Sequence, residues 1–222
     1  MAERPEMLIL FGVLAVANLV SVTLGIEALE WATKPLLCLV LAVYVLREAP
    51  RHRLLAAGLV FAMAGDVALL VDGQVAFVVG MSAFLVMQVC YLTVFTREGA
   101  WDGLRARPWI AGAYLVVWLG AGVLLWEPLG GLRVPVLLYG LALVTMAAFG
   151  AGLNRVAGLG GALFAFSDLL VGLGVTGTDF TGRSPVLMAT YIAAQFLIVR
   201  GVTAGRSAAR NDGSMAPVSH PS

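Results

Sequence analysis

The chain has 222 residues, of which 60% are hydrophobic and only 12% are charged, and its formal net charge is +1. Soluble domains carry about 25% charged residues, so this composition indicates an integral membrane protein. A net charge so close to zero argues against the strongly basic surface that nucleic-acid binding needs, and we expect no nucleic-acid partner.

Eight apolar stretches are candidates to cross a bilayer, for which a helix needs about 20 mainly apolar residues. They lie at residues 7–25, 35–46, 54–71, 75–95, 109–126, 134–149, 158–175 and 185–202. The predicted fold class is therefore an all-α integral membrane protein, with a single bundle of eight transmembrane helices over residues 1–203. Short connections predict that successive helices are antiparallel. Residues 204–222 are rich in Ser, Ala, Asn, Gly and Pro, which predicts a disordered cytoplasmic tail.

Basic residues are distributed unevenly between the two predicted sides of the bundle. Eleven of the 14 fall on the side of the termini, and only Lys34, Arg133 and Arg183 fall on the other. Because Lys and Arg concentrate in cytoplasmic loops, both termini are predicted to be cytoplasmic. Lys34 is the only Lys, and such a preference for Arg points to a GC-rich bacterial genome. We therefore expect a multi-pass protein of the bacterial cytoplasmic (inner) membrane.

Two predicted spans each contain one carboxylate inside an apolar stretch, Asp66 in the third and Asp168 in the seventh. A charged residue in the middle of a membrane helix costs roughly 2.5–3.5 kcal/mol, which is tolerated where it faces a polar interior. At 1.5 Å per residue, Asp66 lies roughly 18 Å and Asp168 roughly 15 Å from the same side of the bundle. We interpret them as two buried carboxylates directed at one site. The alternative is that each is a structural hydrogen-bond acceptor between helices.

The surroundings of the two carboxylates are alike. A small residue, Gly65 or Ser167, directly precedes each Asp, and branched aliphatic residues follow. This match predicts a weak internal duplication, with spans three and four echoed by spans seven and eight. The glycines at 158, 160 and 161 are interpreted as helix-packing positions, since small residues let membrane helices approach closely.

Other polar side chains lie inside the predicted spans in pairs that share a helix face. Gln88 and Tyr91 are three residues apart, Tyr191 and Gln195 are four apart, and Tyr139 lies in the sixth span. These groups either line a cavity shared with the aspartates or form hydrogen bonds between helices, which are worth about 0.6 kcal/mol each.

Lys34 and Pro35 are predicted to open the second span, where a Lys either meets a phosphate or extends toward the membrane interface. Cys38 and Cys90 fall inside spans and are predicted to be free and buried. Neither histidine falls in a span, which argues against a His-ligated metal within the membrane. No cofactor is predicted.

The ordered set of motifs resembles the YhhN-like family of membrane proteins, which includes the lysoplasmalogenases. The motifs that carry the resemblance are Lys34-Pro35, Gly65-Asp66, the stretch from Phe84 to Tyr91, Tyr139-Gly140, the stretch from Gly161 to Asp168, Thr190-Tyr191 and Gln195. They keep their order and cover roughly residues 34–202. One departure concerns Gln88, where many family members carry a His. A Gln can donate and accept hydrogen bonds but cannot take up a proton near neutral pH.

The resemblance implies a hydrolase that cleaves the vinyl-ether bond of lysoplasmalogens (lysoplasmenyl-ethanolamine or -choline). The products would be a fatty aldehyde and glycerophospho-ethanolamine or -choline. It implies a lysophospholipid substrate, membrane lipids as surroundings, and Asp66 and Asp168 as an acid–base pair. Lys34 would meet the phosphate. Gln88, Tyr91, Tyr139, Tyr191 and Gln195 would bind the substrate or orient water.

Two other classes of function stay open at this point. Paired intramembrane carboxylates also serve proton-coupled transporters and lipid-binding membrane proteins. No Pro interrupts the third, fourth, seventh or eighth span, whereas transporter sites are often built on broken helices. A purely structural role predicts that Asp-to-Asn changes affect stability alone.

Overall fold

The computed structural model describes residues 5–204, which are almost entirely helical and contain no strand. The α-helices are α1 Pro5–Leu24, α2 Glu27–Glu48, α3 Arg53–Leu69, α4 Gln74–Arg97, α5 Ala100–Ala106, α6 Trp109–Leu125, α7 Arg133–Leu153, α8 Arg155–Val175 and α9 Arg183–Ala204. The predicted all-α class is confirmed. The predicted tail beyond residue 204 lies outside the described residues.

Seven of these helices are each long and apolar enough to span a bilayer, and the bent pair of α5 and α6 together is the eighth candidate. Helix α6 has 17 residues and follows α5 at an angle of 91°. Helix α5 lies between the predicted spans 75–95 and 109–126, outside every predicted span. Its Gly103 sits against the carbonyl of Gly152 on α7, so closely that a Cβ there would collide with the backbone. The number of candidate spans indicates a multi-pass membrane protein. The close contact at Gly103 fixes the short amphipathic helix α5 to the bundle.

Helix α2 begins earlier than the sequence predicts, so Lys34 and Pro35 do not open the span. The helix starts at Glu27 and places Lys34 two turns inside it. The Nζ of Lys34 lies 3.3 Å from the carboxylate of Glu30, one turn earlier on the same face. This i,i+4 ion pair lets the polar first turns continue as helix. Pro35 is accommodated within α2, as membrane helices allow where neighbouring groups satisfy the freed backbone.

Glycines bring the helices that carry the two carboxylates close to their neighbours. A Cβ on Gly65 of α3 would lie 2.7 Å from the ring of Phe84 on α4. A Cβ on Gly161 of α8 would lie 2.8 Å from the Cα of Ala147 on α7. Both approaches are too close for any other residue without movement, so the glycines set the spacing of these helix pairs. Helix α6, in contrast, buries only Ile110 and Leu125 and lies at the edge of the bundle.

The two ends of the bundle differ in charge. Helices α3 and α8 begin at Arg53 and Arg155, and α4 ends at Arg97, so these residues mark what we call the basic end. Helices α3 and α8 run parallel, and Asp66 and Asp168 each lie 13 residues beyond the first residue of their helix, about 20 Å along it. The predicted match in depth is thus confirmed within the bundle, whereas the cytoplasmic location of the basic end stays a prediction.

Candidate active site

The two carboxylates line one cavity of about 80 Å³. The polar side chains in its wall come from five helices, and they are Lys34, Asp66, Tyr139, Ser167, Asp168 and Tyr191. The rest of the wall is mainly apolar. Phe77, Val136 and Leu187 belong to that wall and lie within about 6 Å of the first residues of α4, α7 and α9. The cavity therefore reaches toward the end of the bundle opposite the basic end.

Asp66 is almost completely buried, with 3% of its surface exposed. Its Oδ2 accepts a hydrogen bond from the Tyr191 hydroxyl at 2.7 Å and faces the Cys38 thiol at 3.6 Å. The same thiol lies 3.3 Å from the Tyr191 hydroxyl. The carboxylate is thus held between α2 and α9 by two different donors. Gly65 brings α3 against α4 at this level, which fixes the helix that carries Asp66.

A chain of hydrogen bonds supports Tyr191 from behind. The Tyr91 hydroxyl donates to Gln195 Oε1 at 2.7 Å, and Gln195 Nε2 donates to the Tyr191 oxygen at 3.2 Å. The ring of Tyr191 packs edge to face against Phe84 and Phe164, at centroid distances of 6.0 and 5.6 Å. With its oxygen occupied as an acceptor and its ring held in place, Tyr191 directs its proton at Asp66.

Asp168 has a separate phenolic donor. Its Oδ2 accepts a hydrogen bond from the hydroxyl of Tyr139 on α7. Gln88 on α4 lies next to Tyr139 and is 1% exposed, yet neither atom of its amide has a partner with hydrogen-bond geometry in the described part of the chain. Ser167, the small residue before Asp168, donates to the carbonyl of Leu187 and ties α8 to α9.

Lys34 is the cation of the cavity. Its side chain is 12% exposed and reaches the wall from α2, about 10 Å from the start of that helix. Its partner Glu30 lies closer to the opposite end of the bundle. The cavity therefore combines two carboxylates deep in the wall with a positive charge nearer its mouth.

The cavity brings together five of the eight residues that the sequence suggested as site residues: Lys34, Asp66, Tyr139, Asp168 and Tyr191. Gln88, Tyr91 and Gln195 are not part of its wall and lie one layer behind it. Cys38 is free and buried, as predicted, but the sequence does not identify it as a neighbour of Asp66 and Tyr191. Its position four residues after Lys34, on the same helix face, was the available signal.

The hydrogen-bond partners of the two carboxylates are not related by the suggested duplication. Asp66 is bound by a tyrosine of α9, whereas Asp168 is bound by a tyrosine of α7. The similarity between the two halves of the sequence therefore does not extend to the hydrogen-bond donors around each carboxylate.

The chemistry open to such a cavity is proton transfer. Two carboxyl groups that share one cavity of low polarity can take different protonation states, so that one is an acid and the other a base. Each is oriented by a phenol, and the remaining wall is apolar enough to accept a lipid.

Comparison with known proteins places the chain in a family. The sequence profile of the YhhN family matches residues 29–202. The chain is 35% identical to rat "Lysoplasmalogenase TMEM86B" over 171 residues, which cover 74% of this chain and 68% of that protein. It is 32% identical to human "Lysoplasmalogenase TMEM86B" over 166 residues, which cover 74% of this chain and 70% of that protein. No solved structure matches the chain. This chain belongs to the YhhN family.

Proposed function

We propose that the protein is a lysoplasmalogenase-like hydrolase that cleaves the vinyl-ether bond of lysoplasmalogens. The observation that carries the proposal is the single cavity between α3 and α8 in which Asp66 and Asp168 meet beside a lysine. Relatives named as lysoplasmalogenases support the reaction class. The substrates are lysoplasmenyl-ethanolamine or -choline, and the products are a fatty aldehyde and glycerophospho-ethanolamine or -choline.

The proposed reaction is an acid–base hydration of the vinyl ether. One carboxylic acid gives its proton to C2 of the alkenyl chain, and the ether oxygen shares its lone pair with C1 to form an oxocarbenium ion. The other carboxylate takes a proton from water as the water oxygen bonds to C1, which yields a hemiacetal. The second carboxyl group then gives that proton to the glycerol oxygen as the C1–O bond to glycerol breaks. The hydroxyl proton of the hemiacetal passes to the first carboxylate, so the aldehyde forms and both carboxyl groups return to their starting states. Such positioned acids and bases contribute about 10²–10⁴-fold each.

The tyrosines orient the carboxylates in this scheme. Tyr191 and Tyr139 each donate to one oxygen of their Asp, which leaves the other oxygen for the substrate or for water. Lys34, nearer the mouth of the cavity, would bind the phosphate of the headgroup.

Gln88 requires a separate role, because its amide cannot carry a proton near neutral pH. In the proposed reaction the two carboxylates perform every proton transfer, so a proton carrier at position 88 is not needed. Its buried amide lies next to Tyr139, one layer behind the cavity wall. We assign Gln88 to the support of Tyr139.

A proton-coupled carrier is the alternative use of the same carboxylates. Helices α3 and α8 are continuous on both sides of Asp66 and Asp168, whereas carriers often bind their substrates at unwound helix segments. Turnover distinguishes the two functions, because a carrier releases no product.

The experiment compares two lipids that differ only at the reacting bond. Detergent-purified protein is incubated with lysoplasmenyl-ethanolamine and with the matching saturated alkyl-ether lipid, and aldehyde is measured. We expect aldehyde from the vinyl ether alone, with one deuterium at C2 when the reaction is run in D₂O. Folded protein that releases no aldehyde from the vinyl ether would overturn the proposal.

A further inference from the structure

A second and larger cavity lies beside the carboxylate cavity, between α6, α7 and α8. Its volume is about 290 Å³. Its wall is almost entirely apolar, and the side chains that define its length are Tyr114, Trp118, Leu125, Val144, Ala162 and Ala165. We call it the apolar groove. Helix α6 packs mainly on α7 at the edge of the bundle, so the groove lies at the periphery of the bundle.

Asp168 and Tyr139 belong to the walls of both cavities, together with Val136 and Gly172. Asp66 and Lys34 belong only to the smaller cavity. The two spaces therefore meet at Asp168: a polar chamber with a cation lies on one side, and an apolar groove lies on the other.

The groove passes Asp168 and continues toward the basic end, and Gly172 and Leu125 line it on the other side of Asp168. Its α7 wall extends from Val136 to Val144, which is about 12 Å at 1.5 Å per residue. On α8, Ala162 and Ala165 lie on the same helix face as each other, about 9 Å and 4.5 Å from Asp168 in the direction of the basic end. Small side chains at both positions keep this wall open. The Trp118 indole donates to the carbonyl of Leu137 at 3.0 Å, which fixes the facing side of the groove.

We propose that the apolar groove holds the aliphatic chain of the lipid substrate, with the reacting bond at Asp168. The inference rests on the proposed function. In a vinyl ether the two reacting carbons are the first two of the chain, so the chain must begin where the proton is delivered. A carboxyl group at the junction of a polar chamber and an apolar groove meets this requirement. Asp168 is then the acid that protonates C2, and Asp66, inside the polar chamber, is the base that activates water.

The geometry also selects an orientation of the lipid. The polar chamber reaches toward the end opposite the basic end, whereas the part of the groove lined by Val144, Ala162 and Ala165 extends from Asp168 in the other direction. A lysolipid in the leaflet at that opposite end has its headgroup outward and its chain directed toward the middle of the bilayer. In this orientation its headgroup fits the polar chamber and its chain fits the apolar groove. Because α6 lies at the edge of the bundle, the lipid can enter the groove laterally from the membrane.

The test is the chain-length preference of groove variants. Ala165→Phe and Ala162→Phe insert the same bulk about 4.5 Å and 9 Å from Asp168. Ala113→Phe is the matched control, because Ala113 lies on α6, is exposed and does not line the groove. Each protein is assayed with octenyl, dodecenyl and octadecenyl lysoplasmenyl-ethanolamine. We expect Ala162→Phe to lower kcat/KM for the octadecenyl relative to the octenyl lipid about tenfold, as a few methylenes lose apolar contact. Ala165→Phe shortens the preferred chain further.

Unchanged chain-length ratios in both groove variants, with normal turnover by the parent protein, would overturn the groove while leaving the proposed function intact. An equal change in Ala113→Phe would overturn it as well. A second measurement does not depend on turnover: a lysolipid with a diazirine in its chain is photo-crosslinked to the parent protein. Labels on groove residues of α6, α7 or α8 support the assignment, and labels confined to residues outside the groove contradict it. Failure of the parent to release any aldehyde refutes the proposed function separately.

Discussion

The hydroxyl of Tyr191 is the most informative single group to remove. It donates to Asp66 at 2.7 Å and accepts from Gln195 at 3.2 Å. Tyr191→Phe keeps the ring between Phe84 and Phe164, where the packing does not involve the hydroxyl. After the change, the Cys38 thiol at 3.6 Å, a weak donor, is the one side-chain donor that remains at Asp66 within the described residues. The substitution therefore removes orientation with little change in packing.

The size of the effect follows from the kind of hydrogen bond that is lost. A hydrogen bond to a charged group is worth about 1.5–3 kcal/mol. Since about 1.4 kcal/mol corresponds to a factor of ten in rate, kcat for aldehyde release should fall about 10- to 100-fold. KM should change little, because Tyr191 is assigned to Asp66 rather than to the headgroup.

Tyr44→Phe is the matched control for this measurement. Tyr44 is a buried tyrosine whose hydroxyl accepts from Arg200 and does not line either cavity. Thermal melting in detergent reports whether both variants stay folded. If Tyr191→Phe turns over at the parental rate while Asp66 is needed for activity, the hydrogen bond does not orient the carboxylate and the reasoning is refuted.

Three further predictions test other parts of the site. Lys34→Ala should raise KM about tenfold and leave kcat unchanged, and Lys34→Arg should largely restore the parental KM. An unchanged KM in Lys34→Ala contradicts the contact with the phosphate. Gly65→Ala should lower the melting temperature, because its Cβ would lie 2.7 Å from an aromatic ring and overpacking costs about 1–3 kcal/mol. Gly112 has open space around it, so Gly112→Ala should leave the melting temperature unchanged or raise it. Equal melting temperatures of the Gly65→Ala and Gly112→Ala proteins would argue against close packing at Gly65. A plot of the parental kcat/KM against pH should be bell-shaped, since one carboxyl group must be protonated and the other ionised. A plot with a single rise or a single fall would show that only one of the two carboxyl groups takes part in the reaction.

Hydropathy predicts much of the bundle because apolar length and charge placement determine which segments cross a membrane. Counting residues from the basic end also predicts that Asp66 and Asp168 lie at similar depth. The start of α2 was missed for a physical reason: Glu30 and Lys34 are polar when considered singly, but neutralise each other one helical turn apart. Helix α5 was missed because it is short and amphipathic, and is held by packing on α7.

The site was only partly predictable, because contacts between helices do not follow from periodicity within one helix. The sequence placed Tyr191 and Gln195 on one face, but did not reveal that Tyr91 extends the hydrogen-bond chain or that Asp66 is its end. The apolar groove was hidden as well. Ala162 and Ala165 are common packing residues, and only their position opposite α6 makes them the wall of a cavity.

The most direct test of the carboxylate pair measures aldehyde release by Asp66→Asn and Asp168→Asn beside the parent. Asp102→Asn on α5, exposed and outside both cavities, is the control. With all four proteins folded in detergent, the account predicts that each cavity variant loses about 100-fold or more in kcat, while Asp102→Asn keeps the parental rate. A folded Asp66→Asn or Asp168→Asn protein with the parental kcat would contradict the claim that the two carboxylates act as an acid–base pair.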